Sequence, residues 1–175
     1  MAGDQTARQD FRASKILAGL GITAFAVLLA GAPWPFALAT LAPAAVAHAA
    51  VFDWGLRRED SFPAMGAFAI GLLLDVVSGP IFGLGALTCV IAHYAAATQR
   101  RFLGPRGLGH AWIGFALTAF ILAPIAWTIA SLAMFQTQPI GPTLAQATLT
   151  AALYPPLALI FAGIRSAIGL GGRPI

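Results

Sequence analysis

A chain of 175 residues that is 59% hydrophobic and only 9% charged, with a mean hydropathy of +0.83, is excluded from the soluble globular class, where about a quarter of residues are charged. Its net charge of +4 and pI of about 10.2 would suggest nucleic acid in a soluble protein. Here the basic residues are scattered over short segments between apolar runs instead of forming one stripe, so no nucleic-acid partner is expected.

The first fifteen residues carry Asp4, Arg8, Asp10, Arg12 and Lys15 and read as a cytoplasmic tail. Six apolar runs follow, each near the roughly 17–25 residues that cross a bilayer as a helix. The first covers residues 16–32. A secretory signal competes here, because Arg8 to Lys15 resembles a basic leader and Ala30-Gly31-Ala32 a cleavage site. The apolar run exceeds the usual 7 to 15 residues of a signal core and Pro33 follows the supposed cut, so a retained helix is expected.

Pro33-Trp34-Pro35 makes a first turn, and residues 36–52 a second span holding Pro43 and His48. A polar loop follows with Asp53, Trp54, Arg57, Arg58, Glu59 and Asp60. The third and fourth spans, residues 63–77 and 81–98, flank the break Ser78-Gly79-Pro80 and read as two helices folded back on each other. Gln99 to Gly109 is a basic, glycine-rich loop. Residues 111–135 form the longest run, interrupted by Pro124, and residues 144–164 the sixth, bent by Pro155-Pro156. A tail from residue 165 to 175 closes the chain.

Basic residues set the orientation. The first tail has Arg8, Arg12 and Lys15, the second-to-third connection Arg57 and Arg58, the fourth-to-fifth Arg100, Arg101 and Arg106, and the last tail Arg165 and Arg173. These are all ten Lys and Arg of the chain, and they fall on alternate connections. Under the positive-inside rule both termini are cytoplasmic. The opposite face then has short, uncharged turns, and any work done there needs a partner or the membrane plane.

Only Asp75 lies within an apolar run. An acid at that depth costs roughly 2.5–3.5 kcal/mol on insertion scales and marks a candidate site. A proton carrier or an intramembrane protease would need a second ionisable group nearby, and no other acid or basic Lys or Arg falls inside a span. A structural or partner-contact role is favoured over contact with a ligand or carriage of a proton, with Asp75 accepting hydrogen bonds from the Ser78-Gly79-Pro80 turn or a neighbouring helix. His93 falls roughly 13 Å farther along the hairpin at 1.5 Å per residue, and His48 and His110 are expected toward the cytoplasmic side, in no known ligand spacing. No metal or cofactor is expected. Cys89, the single cysteine, reads as a small packing residue; it cannot form an intrachain disulfide.

Gly79 and Gly83 stand four apart, and Gly85, Cys89, Ala92 and Ala96 continue a small-residue stripe that permits close helix approach. Thr148, Thr150 and Tyr154 read as interhelical hydrogen bonders. The motifs G-x-S-x-G, H-E-x-x-H and Walker A are absent, so no enzyme class is suggested.

Residues 71–87, GLLLDVVSGPIFGLGAL, with the span to Thr98, the basic stop Gln99-Arg100-Arg101 and the loop from Trp54, Arg57 and Arg58 to Phe62-Pro63, resemble the MreD family of bacterial rod-shape proteins. The resemblance implies an all-α integral membrane protein with six transmembrane helices and both termini inside, similar to the S-component fold of energy-coupling-factor transporters. It also implies a non-enzymatic inner-membrane scaffold of the cell-elongation complex. Such a scaffold binds the bitopic protein MreC and works with MreB, RodA and penicillin-binding protein 2 in peptidoglycan synthesis. The contact candidates are Asp75, Ser78, Gly79, Pro80, Gly83 and Gly85 in the hairpin and Arg57, Arg58, Arg100 and Arg101 on the basic connections. The alternative is a vitamin-type ligand-binding subunit of a transporter.

Overall fold

The computed structural model describes residues 2–32, 39–57, 63–79, 81–103 and 107–167, and for residues 2–13, 15, 39, 165 and 167 the backbone alone. The expected Pro33-Trp34-Pro35 turn, Arg58, Glu59, Asp60, Phe62, Pro80, Arg106 and Arg173 lie outside the described residues. So do the side chains of Asp4, Arg8, Asp10, Arg12, Lys15 and Arg165.

Among the described residues there are six α-helices and one short 3-10 turn, with no strand. They are α1 (Ala2–Ala30), α2 (Ala42–Arg57, led by the 3-10 turn Ala39–Leu41), α3 (Ala64–Ser78), α4 (Leu84–Leu103), α5 (Leu108–Ala133) and α6 (Ile140–Ala167). Two of them, Leu108–Ala133 and Ile140–Ile164, are long and apolar enough to cross a membrane.

The helix boundaries locate three features of the sequence. Helical backbone runs through residues 2–15, the segment expected as a cytoplasmic tail, because nothing between Asp4 and Ala18 breaks a helix. Pro43 sits in the first turn of α2, where a missing N–H goes unnoticed. Asp53, Trp54 and Arg57 belong to the last turns of α2 and not to a polar loop. Asp53 accepts a 2.8 Å hydrogen bond from Arg57 Nε one turn on, which lets the acid stay helical while fully buried.

α2 is the centre of the bundle. Its sequence, APAAVAHAAVFDWGLR, is apolar on nearly all sides, the pattern of a helix surrounded by others. It packs against α1, α3, α4 and α6. One face, with Ala47, Ala50, Val51 and Trp54, meets Val27, Ile70, Leu74 and Cys89. The other, with Ala49, Phe52 and Leu56, meets Ala96, Phe115 and Tyr154. The Phe115 and Tyr154 rings stack at 4.4 Å, and Phe52 meets both edge-on.

The prolines inside α5 and α6 raise a question of backbone bonding, since each frees the carbonyl four residues earlier. Pro155 frees Ala151, and the Trp112 indole N–H donates to that oxygen at 2.8 Å. A neighbouring helix thus supplies the donor that the proline removed.

Candidate functional site

The α3–α4 hairpin is built around Asp75, which is 5% exposed. Its Oδ1 accepts from the Gly85 N–H at 2.6 Å. Its Oδ2 accepts from Gly83 N–H at 2.9 Å and Ala86 N–H at 3.2 Å. The first N–H groups of a helix have no partner within it, and at α4 the carboxylate of the preceding helix satisfies them. The donors lie beyond the Ser78-Gly79-Pro80 turn and not within it. Of that turn, the Gly79 N–H donates back to the Asp75 carbonyl at 2.9 Å, ending α3, and Ser78 Oγ reaches the Leu74 carbonyl at 3.4 Å.

Glycine is required here for two distinct reasons. Gly83 has φ +97°, a region that other residues enter only at a cost. Gly85 and Gly71 are places of close approach. A Cβ on Gly85 would lie 2.5 Å from Asp75 Oδ1, and one on Gly71 would lie 2.4 Å from Ala86 Cα. The Gly79–Gly83 spacing is not one helix face, since Gly79 follows α3 and Gly83 precedes α4. The stripe Gly85, Cys89, Ala92 and Ala96 is buried within this chain.

His48 joins this network. Its Nδ1 lies 2.7 Å from the Ala44 carbonyl, which can only accept, so Nδ1 carries a proton. Nε2 meets the Thr88 hydroxyl at 3.0 Å, and Thr88 lies 3.1 Å from the Gly85 carbonyl. Gly85 therefore links Asp75 through its N–H to Thr88 and His48 through its carbonyl. Beside them is a cavity of about 100 Å³ between α2, α4, α5 and α6. Alanine is its commonest lining residue, and His48, Thr88, Thr118, Thr143, Gln146 and Thr150 are the polar groups. Gln146 donates to the Leu41 carbonyl and to Thr150, and Gln99 donates to Thr118 at 3.1 Å.

The other end of α2 holds the second buried acid. Arg57 lies beyond the apolar run of residues 36–52. Burial alone would lower its pKa, and the Asp53 carboxylate reverses this, leaving the guanidinium above its ordinary value. Arg100 donates twice to the Gly55 carbonyl, at 3.1 and 2.6 Å, near the C-terminus of α2 where carbonyls lack helical partners. Arg57 and Arg100 are thus engaged within the bundle, while Arg101 is exposed.

The structure brings Asp75, Gly83 and Gly85 into one cluster with Gly79 and Ser78 at its rim. It places Arg57 and Arg100 apart from them, and Arg58 and Pro80 lie outside the described residues. Among the described residues no three His, Cys, Asp or Glu side chains gather where one metal ion could bind. Thr148 is not an interhelical bonder, because its hydroxyl donates to the Leu144 carbonyl of its own helix. Sequence reasoning gave no bonding role to Thr88, Thr118 and Gln146, and it put Gln99 at the start of a loop where the structure has it inside α4. The available signal was an amide or hydroxyl inside or at the edge of an apolar run, which demands a partner when buried.

A family model described as rod shape-determining protein MreD matches residues 12–163 of the chain. No curated protein and no solved structure matches it.

Proposed function

The chain belongs to the MreD family of rod shape-determining proteins, and from that premise we propose that it is a multi-pass inner-membrane scaffold of the cell-elongation complex. Family membership itself implies a membrane protein with a role in rod shape determination, in a family of structural and not known catalytic proteins. The finer reading is that six helices cross the membrane with both termini cytoplasmic, in spans near those expected from residue 16 to 164. The scaffold binds an MreC-like bitopic protein and helps couple peptidoglycan synthesis, through RodA and penicillin-binding protein 2, to MreB.

One observation carries this reading. Both oxygens of Asp75 are engaged by three main-chain amides, so the acid holds two helices in a fixed relation and is not poised as a base or a carrier. A rigid bundle with apolar outer faces suits recognition by helix packing, where small residues and interhelical bonds set the association. Asp75, Ser78, Gly79, Pro80, Gly83 and Gly85 then act by shaping the hairpin that a partner meets. Arg101, with Arg58, is the cationic contribution to cytoplasmic contacts.

A second reading is favoured by the cavity beside His48 and Thr88. A small-molecule-binding transporter subunit, similar to the S components of energy-coupling-factor transporters, would use such a space. Purification in mild detergent with mass spectrometry of proteins and small molecules separates the two. Recovery of a bitopic MreC-like protein with wall synthases supports the scaffold. Recovery of ATPase subunits or a stoichiometric vitamin-like ligand replaces it with transport.

A further inference from the structure

The end of α5 is closed in an unusual way. Gln136 N–H bonds the Ser131 carbonyl at 3.1 Å and Phe135 N–H the Leu132 carbonyl at 3.2 Å. This is the six-to-one and five-to-two pattern of a Schellman motif, whose left-handed position is usually glycine. Here Phe135 occupies it, at φ +51°, the one non-glycine residue with positive φ among those described. A bulky side chain in that region is strained, and strain persists where the surroundings over-determine the backbone. They do so here: the Trp127 indole N–H donates to the Gln138 carbonyl at 2.8 Å, and Gln138 N–H donates to Ser131 Oγ at 3.3 Å. The strained ring then packs on nothing in the chain, being 96% exposed.

What meets the ring is indicated by charge and length. The sequence has no Asp, Glu, Lys or Arg between Arg106 and Arg165, so no charged partner surface is matched at this turn. Leu132, Met134 and Ile140, close to Phe135 in sequence, are exposed apolar residues as well. The other aromatic terminus of α5 is Trp112, 43% exposed. Twenty-three residues separate the two, about 34 Å at 1.5 Å per residue, against a hydrocarbon core of about 30 Å. Ile113, Leu117, Phe120 and Ile121 are exposed between them. On a membrane-spanning α5 that length puts Trp112 at one membrane–water boundary, where Trp is enriched, and Phe135 at the other, where Phe is among the apolar side chains that enter the headgroup–acyl boundary.

We propose that Phe135 is a lipid-interface anchor: the Schellman turn holds its ring in the boundary between headgroups and acyl chains and so sets the depth of the α5–α6 hairpin. The proposal rests on the reading that α5 crosses the membrane. The test uses the full chain in vesicles of phosphatidylcholine and phosphatidylglycerol, with Cys89→Ala and a nitroxide on Thr137→Cys. Depth is read from collisions with oxygen and with a water-soluble nickel chelate. A label at headgroup depth is expected. Phe135→Gly should move it toward water, raising nickel relative to oxygen accessibility, and Phe135→Trp should restore it.

In detergent the same Phe135→Gly should melt at a higher temperature, because glycine relieves the turn. That gain shows that loss of depth is not loss of fold. A nitroxide on Leu117→Cys serves as the control for spanning. If that label lies in water, the membrane-spanning reading itself fails. If it lies deep while the Thr137→Cys label is insensitive to Phe135→Gly, only the anchor is overturned. A Thr137→Cys label that is water-exposed alone but shielded from both reagents with co-purified proteins would assign the ring to a protein partner and overturn the proposal.

Discussion

Among the described residues two carboxylates are buried, and the bundle satisfies them in opposite ways. Asp53 is neutralised locally, by a guanidinium one helical turn away. Asp75 is satisfied from a distance in sequence, by amides eight, ten and eleven residues on, across a turn and at the start of another helix. A side-chain pair of the first kind tolerates adjustment, since Arg57 is 39% exposed and can reposition. A cluster of main-chain donors has no such freedom. It exists only where two helices approach closely enough, which is why the glycines and the acid form one unit.

The largest effect that sharpens this contrast should come from Gly71→Val. Its Cβ meets the backbone of Ala86 at 2.4 Å, which no rotamer relieves. We expect a loss of about 3 kcal/mol or more, at the upper end for overpacking, read as a collapse of melting temperature in detergent. Asp75→Ala should follow at about 3 kcal/mol, since two buried N–H groups and one half-buried one lose their acceptor at roughly 1 kcal/mol or more each. Asp75→Asn, with one carbonyl oxygen left, should lose less.

The comparison breaks if Asp53→Asn costs as much as Asp75→Asn. We expect about 1 kcal/mol for the Asp53 change, because the amide oxygen can still accept from Arg57 and partly exposed pairs contribute little. The coupling between Asp53 and Arg57, taken from a double-mutant cycle, should also weaken in high salt. Stability differences at Asp75, measured in the same buffers, should not. Trp112→Phe should cost about 1 kcal/mol, by returning the Ala151 carbonyl to the unpaired state that Pro155 created. At the small end, Thr148→Ala should change the melting temperature little, within about 0.5 kcal/mol.

How much of this was legible varies by residue. The lone Asp75 before Ser78-Gly79-Pro80 marked the hairpin and its acid directly, because a charge inside an apolar run is rare enough to stand out. The identity of its donors was not legible, since it depends on where α4 begins and how closely it returns. Asp53 and Arg57 stand four apart, the spacing of a helical ion pair, yet clustering with Arg58, Glu59 and Asp60 made the segment read as loop. The burial of Asp53 among α2's neighbours is set by packing and has no local sequence signal. His48 was placed by counting along its own helix. Its partner Thr88 lies forty residues on, and no local pattern carries that contact.

What the sequence determined by itself is what depends on composition and local spacing. Apolar runs long enough for membrane helices, an isolated acid, a glycine-rich turn and the membership in a rod-shape family all follow from residues near one another in the chain. The tertiary structure decided which helix is central, which side chain answers the Ala151 carbonyl freed by Pro155, and which amides hold Asp75. Those depend on how helices approach in space. An apolar helix has many faces that could be buried, but a buried N–H or carbonyl is satisfied only within about 3 Å, and that distance is set by packing alone.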